Sequence, residues 1–536
     1  MAKGNDFQND ALSAMRLQLQ AGRLNRRDLL RAASVLGIAL PLATSGMGLF
    51  SRAARAEGSV LRVAAQADDS ELEPVSSPSV GAVCVAQQIA EYLVWCDADL
   101  IVRPMLATSW TPAGSAKEWD VNLREDVLFN DGSPLTSADV VATFDRIFDP
   151  QSNASALNSL KGLMSAGAVE ATGTHSVRFH LDRPVVDFAY FISNVTYGSM
   201  ILPKGYKMHT FAQSPVGTGP YLLKEYRPTQ GATLVRNPKY WGQGEPKFDQ
   251  IEFIYYKDVA PQSLALQSGE IDMMMETPFL DSQALLSDPS IKFVYNKSAS
   301  YRAVHMRTDQ APFNDKRVRQ AIASCLDRTA IVGLLFGGRA DIGNDTGFAP
   351  IYPSSPALAP RKQDYELAKK LLADAGHGDG LTVELTAVTF QEVPQYATIL
   401  REMAAPAGIT INIREMAFDA YYGTGDPWLN LPFAITDWGP RATPSQLLSA
   451  AYTCNAQWTS SHWCNNDFDQ LLASFDAEVD PLKRKDIAAK MAALQMDEVP
   501  SIIAYFLNQS RAMKASLMDV GPTTTNVLDV RKAHFA

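Results

Sequence analysis

The sequence predicts an α/β protein with more than one domain, and three observations support this prediction. First, the chain has 536 residues, whereas a single hydrophobic core rarely serves more than about 300. Second, 46% of the residues are hydrophobic and 20% are charged, which is typical of globular proteins and excludes disordered, collagen-like and coiled-coil chains. Third, segments with strand-like and helix-like periodicity alternate in the second half of the chain, as α/β domains require.

The amino-terminal segment, residues 1–56, is predicted to be a twin-arginine signal peptide. Arg26 and Arg27 precede twenty uncharged residues, 32–51, in which Gly, Ser, Thr and Pro dilute the apolar side chains. Ala54-Arg55-Ala56 resembles a small-x-small cleavage site. We therefore expect export by the twin-arginine route, cleavage after Ala56 and a soluble mature protein in the periplasm. The alternatives are a single membrane anchor and a disordered basic tail.

Charge and cysteine content limit the partners of the mature chain. The segment 1–56 carries a net charge of +5, which leaves −15 on the remainder of a chain whose total is −10. An acidic chain argues against nucleic acid as a partner. Cys454 and Cys464 lie ten residues apart in a polar stretch and are the best candidates for a loop-closing disulfide. The pairing of Cys84, Cys96 and Cys325 stays open, although Cys325 falls on an apolar helix face.

Strand-like alternation dominates the first half of the mature chain. Strands are predicted near 59–63, 119–123, 177–181, 232–235 and 251–255. Thr136 to Asp139 resembles a capping box. A helix with an apolar face made by Val140, Phe144 and Ile147 is expected to follow it.

A second α/β region begins near residue 313. Asp315 is expected to cap one helix that runs to Gly337. A later strand at 381–385, a helix ending near Ala405 and a strand at 409–413 form a β-α-β unit, which predicts parallel strands joined by a right-handed crossover. Asp480 begins the last helix, and the strand 501–507 is expected to return to the first lobe.

The sequence carries no signature of catalysis. It has no G-x-S-x-G, G-x-x-x-x-G-K-[ST], H-E-x-x-H or strand-linked G-x-G-x-x-G motif. The seven histidines are scattered and no C-x-x-C spacing occurs, so neither a metal site nor a cofactor is expected. We therefore predict that the protein is not an enzyme.

Three stretches resemble family 5 extracytoplasmic solute-binding proteins, the peptide, opine and nickel receptors of ABC importers. They are RPMLATSW at 103–110 with LREDV and FNDGSPLTSADV over 123–140, PVGTGPY at 215–221 with RNPKYW and LQSGEID over 236–272, and PFNDKRVRQA at 312–321. The resemblance implies the periplasmic-binding-protein fold of the class II or cluster C type. Two hinged α/β lobes, with an extra domain in the first, would close over a ligand.

The resemblance also implies domain boundaries. Residues 57–100, 216–312 and 501–536 would form the core domain of lobe I, residues 101–215 its extra domain, and residues 313–500 lobe II. The expected partners are a small-molecule solute and the membrane permease subunits of an ABC importer, and the protein is expected to be a monomer.

The predicted binding segment surrounds Trp438. Peptide receptors of the family place an acidic residue three positions beyond the matching Trp, whereas this sequence has Arg441 there. A guanidinium group suits a carboxylate. Asp437 could meet an ammonium group, and Trp438 beside Gly439 could stack on the ligand. The alternatives are a surface ion pair for Arg441 and a core position for Trp438.

In the first lobe, the resemblance places ligand contacts near Tyr92 and Trp95, although their spacing also fits core packing. The predicted function is therefore the binding of a peptide or opine-like solute that carries a carboxylate, for delivery to the permease. The alternative is a carrier of a nickel chelate or haem, with His305 and His462 as the available ligands. An enzyme on the same fold is the third hypothesis.

Overall fold

The computed structural model describes residues 59–66, 71–77, 79–114, 116–244, 246–278, 280–521 and 527–536. Residues 1–56, and with them the twin-arginine prediction, lie outside these ranges. Every helix within them falls short of the length or the apolar character that a membrane span needs.

The strands in these ranges are distributed from residue 60 to residue 535. They are β1 (Val60–Gln66), β2 (Val94–Cys96), β3 (Val102–Pro104), β4 (Ala107–Pro112), β5 (Glu118–Leu123), β6 (Val169–Gly173), β7 (Ser176–His180), β8 (Tyr221–Arg227), β9 (Gly231–Arg236), β10 (Gln250–Tyr256), β11 (Met273–Met274), β12 (Ile291–Met306), β13 (Ala340–Ile342), β14 (Leu381–Thr389), β15 (Ile409–Ala417), β16 (Phe433–Trp438), β17 (Ser501–Lys514), β18 (Leu517–Met518) and β19 (His534–Phe535).

The α-helices of the same ranges are concentrated in the second half. They are α1 (Val80–Ala86), α2 (Ser137–Phe148), α3 (Leu157–Leu160), α4 (Phe188–Phe191), α5 (Val259–Ser268), α6 (Lys316–Ser324), α7 (Arg328–Phe336), α8 (Tyr365–Asp374), α9 (Val393–Ala404), α10 (Phe418–Tyr421), α11 (Pro444–Ala451), α12 (Asn466–Ala477) and α13 (Pro481–Glu498). Short 3₁₀ helices cover Tyr197–Ser199, Leu280–Ser287, Ala405–Ala407 and Pro427–Leu429.

One large sheet connects both halves of the chain. Its strand order is β15-β14-β16-β12-β17-β11-β1-β10-β9-β8, with β13 also paired to β17. The long antiparallel strands β12 and β17, of 16 and 14 residues, lie between the strands of the first half and those of the second. Their pairing is irregular between Asn296 and Ser300. In the described sheet, β12 and β17 are therefore the long strands that connect the strands of the first half to those of the second.

Local signals explain several of these elements. The backbone N–H of Thr136 donates to Asp139 Oδ2 at 2.8 Å, so the predicted capping box at the start of α2 is confirmed. Strands β14 and β15 pair in parallel from Leu381 opposite Ile409 onward, with α9 between them in the chain. This confirms the predicted β-α-β unit.

The single helix predicted from Asp315 to Gly337 is wrong, because the structure has two. Helix α6 ends at Ser324, and α7 begins at Arg328. The side chain of Asp327 accepts a hydrogen bond from the backbone N–H of Ala330 at 2.9 Å. This second N-cap starts a new helix, which the continuous apolar pattern did not reveal.

The glycines of the PVGTGPY motif are required for close backbone packing. A Cβ atom on Gly217 would lie 2.1 Å from the carbonyl oxygen of Ile89, and one on Gly219 would lie 2.6 Å from that of Gln88. Neither glycine has a positive φ. The motif therefore serves the fold, through contact distance rather than through an unusual backbone conformation.

Buried apolar side chains form two large cores. The first core contains residues of β1, α1, β5, α2, β7, β10 and α4. The second contains residues of β12, α6, α7, β14, α9, β16, α12 and α13. A smaller cluster lies around α5. The predicted domain boundaries stay a prediction.

Two ion pairs join residues beside α4 to the helices of the second core. Arg183 pairs with Asp476, and Arg484 Nη1 donates to Asp187 Oδ1 at 2.7 Å. The backbone N–H of Val186 also donates to the carbonyl oxygen of Asp476 at 2.9 Å. We call the four charged side chains Arg183, Asp187, Asp476 and Arg484 the bridge cluster.

Candidate ligand-binding site

A cavity of about 670 Å³ lies between the two cores, within the size range of small-molecule sites. Its floor is formed by Tyr295, Ser300 and Arg302 of β12 and by residues 507–510 of β17. One wall comes from Gln66, Ser79, Gly81, Gln262, Glu276 and Thr277. The other comes from Phe336, Arg339, Phe390, Gln391, Glu392, Gln395, Asp437, Gly439 and Pro440.

A buried ion cluster organises the second wall. The side chain of Arg302 is 2% exposed, and its Nε lies 2.9 Å from Glu392 Oε1. Its Nη2 donates to Gln391 Oε1 at 2.7 Å, and its Nη1 donates to Asp437 Oδ1. Tyr505 donates a further hydrogen bond to Glu392 at 3.0 Å. We call Arg302, Glu392 and Asp437 the cleft cluster.

Asp437 is positioned by strand pairing. Asp437 of β16 lies opposite Arg302 of β12 in the antiparallel register, and its backbone N–H donates to the Tyr422 hydroxyl at 2.9 Å. Burial raises the pKa of the Asp437 carboxyl, the charge of Glu392 raises it further, and Arg302 opposes both. Asp437 therefore reaches the cavity as a carboxylate already engaged by Arg302.

Glu276 belongs to the opposite wall. It follows β11 and its side chain is exposed to the cavity. Because protein surrounds the cleft, the loss of bulk water raises the pKa of Glu276, and the charge of Asp437 raises it further. Arg511 and Arg302 lower it.

Arg339 and Tyr295 contribute hydrogen-bond donors to the cavity. The guanidinium carbon of Arg339 lies 5.6 Å from the centroid of the Tyr295 ring, which is a cation–π distance. Among the residues that the structure describes, the Tyr295 hydroxyl oxygen and Asn508 Oδ1 have no hydrogen-bond partner, and both atoms are buried within the protein.

The predicted binding segment lies partly at the cavity. Asp437 and Gly439 line it, whereas Trp438 is 5% exposed and stacks on Tyr301 at 6.3 Å within the second core. The guanidinium of Arg441 donates to the carbonyl oxygens of Pro440 at 3.0 Å and Gly439 at 3.4 Å, and Arg441 is not among the lining residues. The role of Arg441 as anchor stays a prediction.

The two predicted aromatic contacts of the first lobe lie in the first core. Tyr92 is fully buried, and its hydroxyl donates to the carbonyl oxygen of Tyr197 at 3.2 Å. Trp95 is 8% exposed and packs under the guanidinium of Arg531 at 4.9 Å. Neither side chain lines the cavity.

The histidines proposed as metal ligands lie outside the cavity lining. His305 is buried between the Thr436 hydroxyl and the Leu431 carbonyl, and burial lowers its pKa to about 4. His462 contacts the carbonyl oxygen of Leu429 at 3.0 Å. No group of three His, Cys, Asp or Glu side chains is arranged to hold a metal ion within the described ranges.

The cysteines are separate from the cavity. A disulfide joins Cys454 to Cys464. Cys84, Cys96 and Cys325 are buried and form no disulfide, and burial raises the pKa of each thiol to about 12. These three thiols are therefore protonated at neutral pH and are poor nucleophiles.

Sequence reasoning did not find four charged residues of the cavity. These are Glu276, Arg302, Arg339 and Glu392. Gln391, also in the lining, has a φ of 44°, a conformation that non-glycine residues rarely adopt and that often marks functional sites. No pattern in the neighbouring sequence predicted this conformation. Glu276, directly after the MMM run, was the one position where an isolated charge beside a buried strand could have been noticed.

Comparisons with known proteins agree with this geometry. The model of a family described as bacterial extracellular solute-binding proteins, family 5 Middle, matches residues 102–459. The glutathione-binding protein GsiB of Salmonella typhi is 28% identical over 366 residues, which cover 66% of this chain and 69% of the relative.

Solved structures have the same fold. AgaA of A. tumefaciens R10, in complex with agropinic acid, gives a TM-score of 0.71 at 24% identity and covers 89% of this chain and 99% of its own. DppA of Helicobacter pylori, in complex with the peptide STSA, gives 0.71 at 22% identity and covers 89% and 98%. The predicted periplasmic-binding-protein fold is confirmed.

Proposed function

The chain belongs to family 5 of the bacterial extracellular solute-binding proteins, and from this premise we propose that it binds a peptide or opine-like solute through a carboxylate. The solute occupies the cavity between the two cores and is delivered, without catalysis, to the permease of an ABC importer. Export by the twin-arginine route to the periplasm and a monomeric state are part of the same proposal.

The observation that carries the proposal is the placement of Arg339 at the cavity. Its guanidinium lines the cavity and lies over the ring of Tyr295. A planar guanidinium matches the two oxygens of a carboxylate. Arg441 lies outside the cavity lining. We therefore assign the carboxylate contact to Arg339 rather than Arg441.

The similar proteins support this class of ligand. GsiB is named for glutathione, and AgaA and DppA hold agropinic acid and a peptide. The cavity of about 670 Å³ is large enough for a short peptide or an opine.

The test is mass spectrometry of small molecules released on denaturing residues 57–536 purified from their native periplasm. Arg339→Ala and Arg441→Ala are purified alongside. We expect carboxylate-bearing solutes with the wild type and with Arg441→Ala, and their loss from Arg339→Ala. Loss of these solutes from Arg441→Ala alone would show that Arg441, and not Arg339, binds the carboxylate. A nickel or haem species retained by all three proteins would overturn the proposal and favour a metal carrier.

A further inference from the structure

Glu276 is held toward the cavity by the backbone on both sides of it. The N–H of Met275 donates to the carbonyl oxygen of Ala64, and the N–H of Thr277 to that of Ser510, both at 2.9 Å. Met275 and Thr277 are buried, whereas Glu276 between them is exposed to the cavity. Because the neighbouring residues are fixed to β1 and β17, the direction of the Glu276 side chain is set by the sheet.

Glu276 differs from the other carboxylates of the cavity in having no ion pair or hydrogen bond with the described residues. Glu392 and Asp437 are both paired with Arg302. Glu276 makes no hydrogen bond or ion pair with any residue that the structure describes. An acceptor-only group that lacks partners in a cleft with little bulk water is available for a ligand.

The charges of the lining point to the sign of the missing group. Among the carboxylates of the lining, Glu392 and Asp437 are paired with Arg302, whereas the charge of Glu276 is offset only in part, by the more distant charges of Arg511 and Arg302. The charge of Asp437 raises the pKa of Glu276, so the two walls present carboxylates that repel each other. A positive group between the walls would offset this repulsion.

We propose that Glu276 selects ligands that carry a cationic amino group and binds that group from the wall opposite Asp437. This inference rests on the proposed function and narrows it, because the ligand must then be a zwitterion. The carboxylate of the ligand contacts Arg339, and the amine of the ligand contacts Glu276. A cationic amine between Glu276 and Asp437 would offset the repulsion between their carboxylates.

The test uses a matched pair of probe libraries. The first contains di- and tripeptides of uncharged residues, together with opine-type N-(1-carboxyethyl) amino acids. The second contains the same compounds after acetylation of every amine, which removes the positive charge and keeps the carboxylate. Each library is incubated with the wild type, Glu276→Gln and Glu366→Gln, and bound compounds are measured by native mass spectrometry. Glu366 is the control, because its side chain is 87% exposed on α8 and outside the cavity lining.

We expect the wild type and Glu366→Gln to retain compounds of the unblocked library at least about tenfold more than their acetylated counterparts, as loss of a charge-assisted contact predicts. Glu276→Gln should retain both libraries to within about twofold. Equal retention of both libraries by the wild type, or full discrimination by Glu276→Gln, would overturn the inference and leave the proposed function intact. Retention of neither library by the wild type would overturn both.

Discussion

The cleft cluster and the bridge cluster are both buried ion networks, but they connect different parts of the molecule. Arg302, Glu392 and Asp437 of the cleft cluster all lie on elements of the second core. The bridge cluster joins Asp187, beside an α4 that packs into the first core, to Arg484 on α13 of the second. The first network shapes one wall before a ligand arrives, whereas the second fastens two separate cores to each other.

Exposure divides the two networks further. In the cleft cluster, Arg302 and Glu392 have side chains only 2% and 4% exposed and Asp437 is 29% exposed. In the bridge cluster, Asp476 is 2% exposed, but its partner Arg183 is 38% exposed. A charge that loses its partner in a dry interior is costly, because neither water nor another group replaces the contact. We therefore expect the buried pair of Arg302 and Glu392 to tolerate loss of a member least.

The largest expected effect comes from Arg302→Met. This change keeps most of the side-chain volume but leaves the carboxylates of Glu392 and Asp437 without their shared cation. We expect the free energy of unfolding to fall by about 3–5 kcal/mol, measured by urea titration. Arg317→Met is the control, since Arg317 is 45% exposed in its pair with Asp315 and its loss should leave the free energy of unfolding nearly unchanged. An equal fall in the free energy of unfolding of the two variants would show that burial does not decide how much such an ion pair contributes to stability.

A smaller loss is expected from Arg484→Met in the bridge cluster. Arg484 and Asp187 are 12% and 10% exposed, and the guanidinium also covers the Phe475 ring at 4.1 Å. We expect a loss of about 2–3 kcal/mol together with a larger radius of gyration in small-angle scattering, since the variant loosens the contact between the cores. An unchanged radius would show that the bridge cluster does not hold the cores together.

The double variant Arg302→Met/Arg484→Met tests whether the networks are independent. They share no charged residue, so the two losses should add to within about 0.5 kcal/mol. A larger deviation in the urea titration would show that the wall of the cavity and the contact between the cores are one coupled unit.

The smallest expected effect is a pH dependence confined to the cavity. Glu276 interacts with the charges of Asp437 on β16, Arg302 on β12 and Arg511 on β17, and the loss of bulk water in the cleft raises its pKa. A cation binds only its deprotonated form, so affinity for an unblocked probe peptide should fall as the pH drops through that raised pKa. The fall should begin at a higher pH than the usual value for Glu of about 4.3 would give.

Isothermal titration calorimetry across the acidic range checks this dependence. Glu276→Gln should bind the peptide more weakly and lose the dependence, whereas Glu366→Gln, on the exposed face of α8, should keep the wild-type profile. A profile in Glu276→Gln identical to that of the wild type would assign the titration to another group.

The sequence predicted the local elements of the fold better than the cavity. The capping box at Thr136 and the parallel pair β14 and β15 follow from short-range patterns, which local residues encode. The family resemblance led to the segment around Trp438. The break between α6 and α7 was missed because the apolar pattern continues across it, although Asp327 carries the chemistry of an N-cap.

The cavity required tertiary information. Arg302 lies opposite Asp437 only because β12 pairs with β16 in one register, and no pattern within either strand specifies that register. Arg441 carries the chemistry of a carboxylate anchor, but its guanidinium turns onto the carbonyl oxygens of Gly439 and Pro440. Residue type predicted what each group can bind, and only packing determined where the group points.

The order of strands in the large sheet has a consequence for how the protein is made. Strand β17, from residues 501–514, lies between β12 and β11, so the last long strand to be synthesised occupies the interior of the sheet. Until it emerges, β12 and β11 present open edges, and open edges recruit other chains. Assembly of the two halves is therefore a late event after translation. A chain that stops before residue 501 would leave both edges unpaired and prone to aggregation.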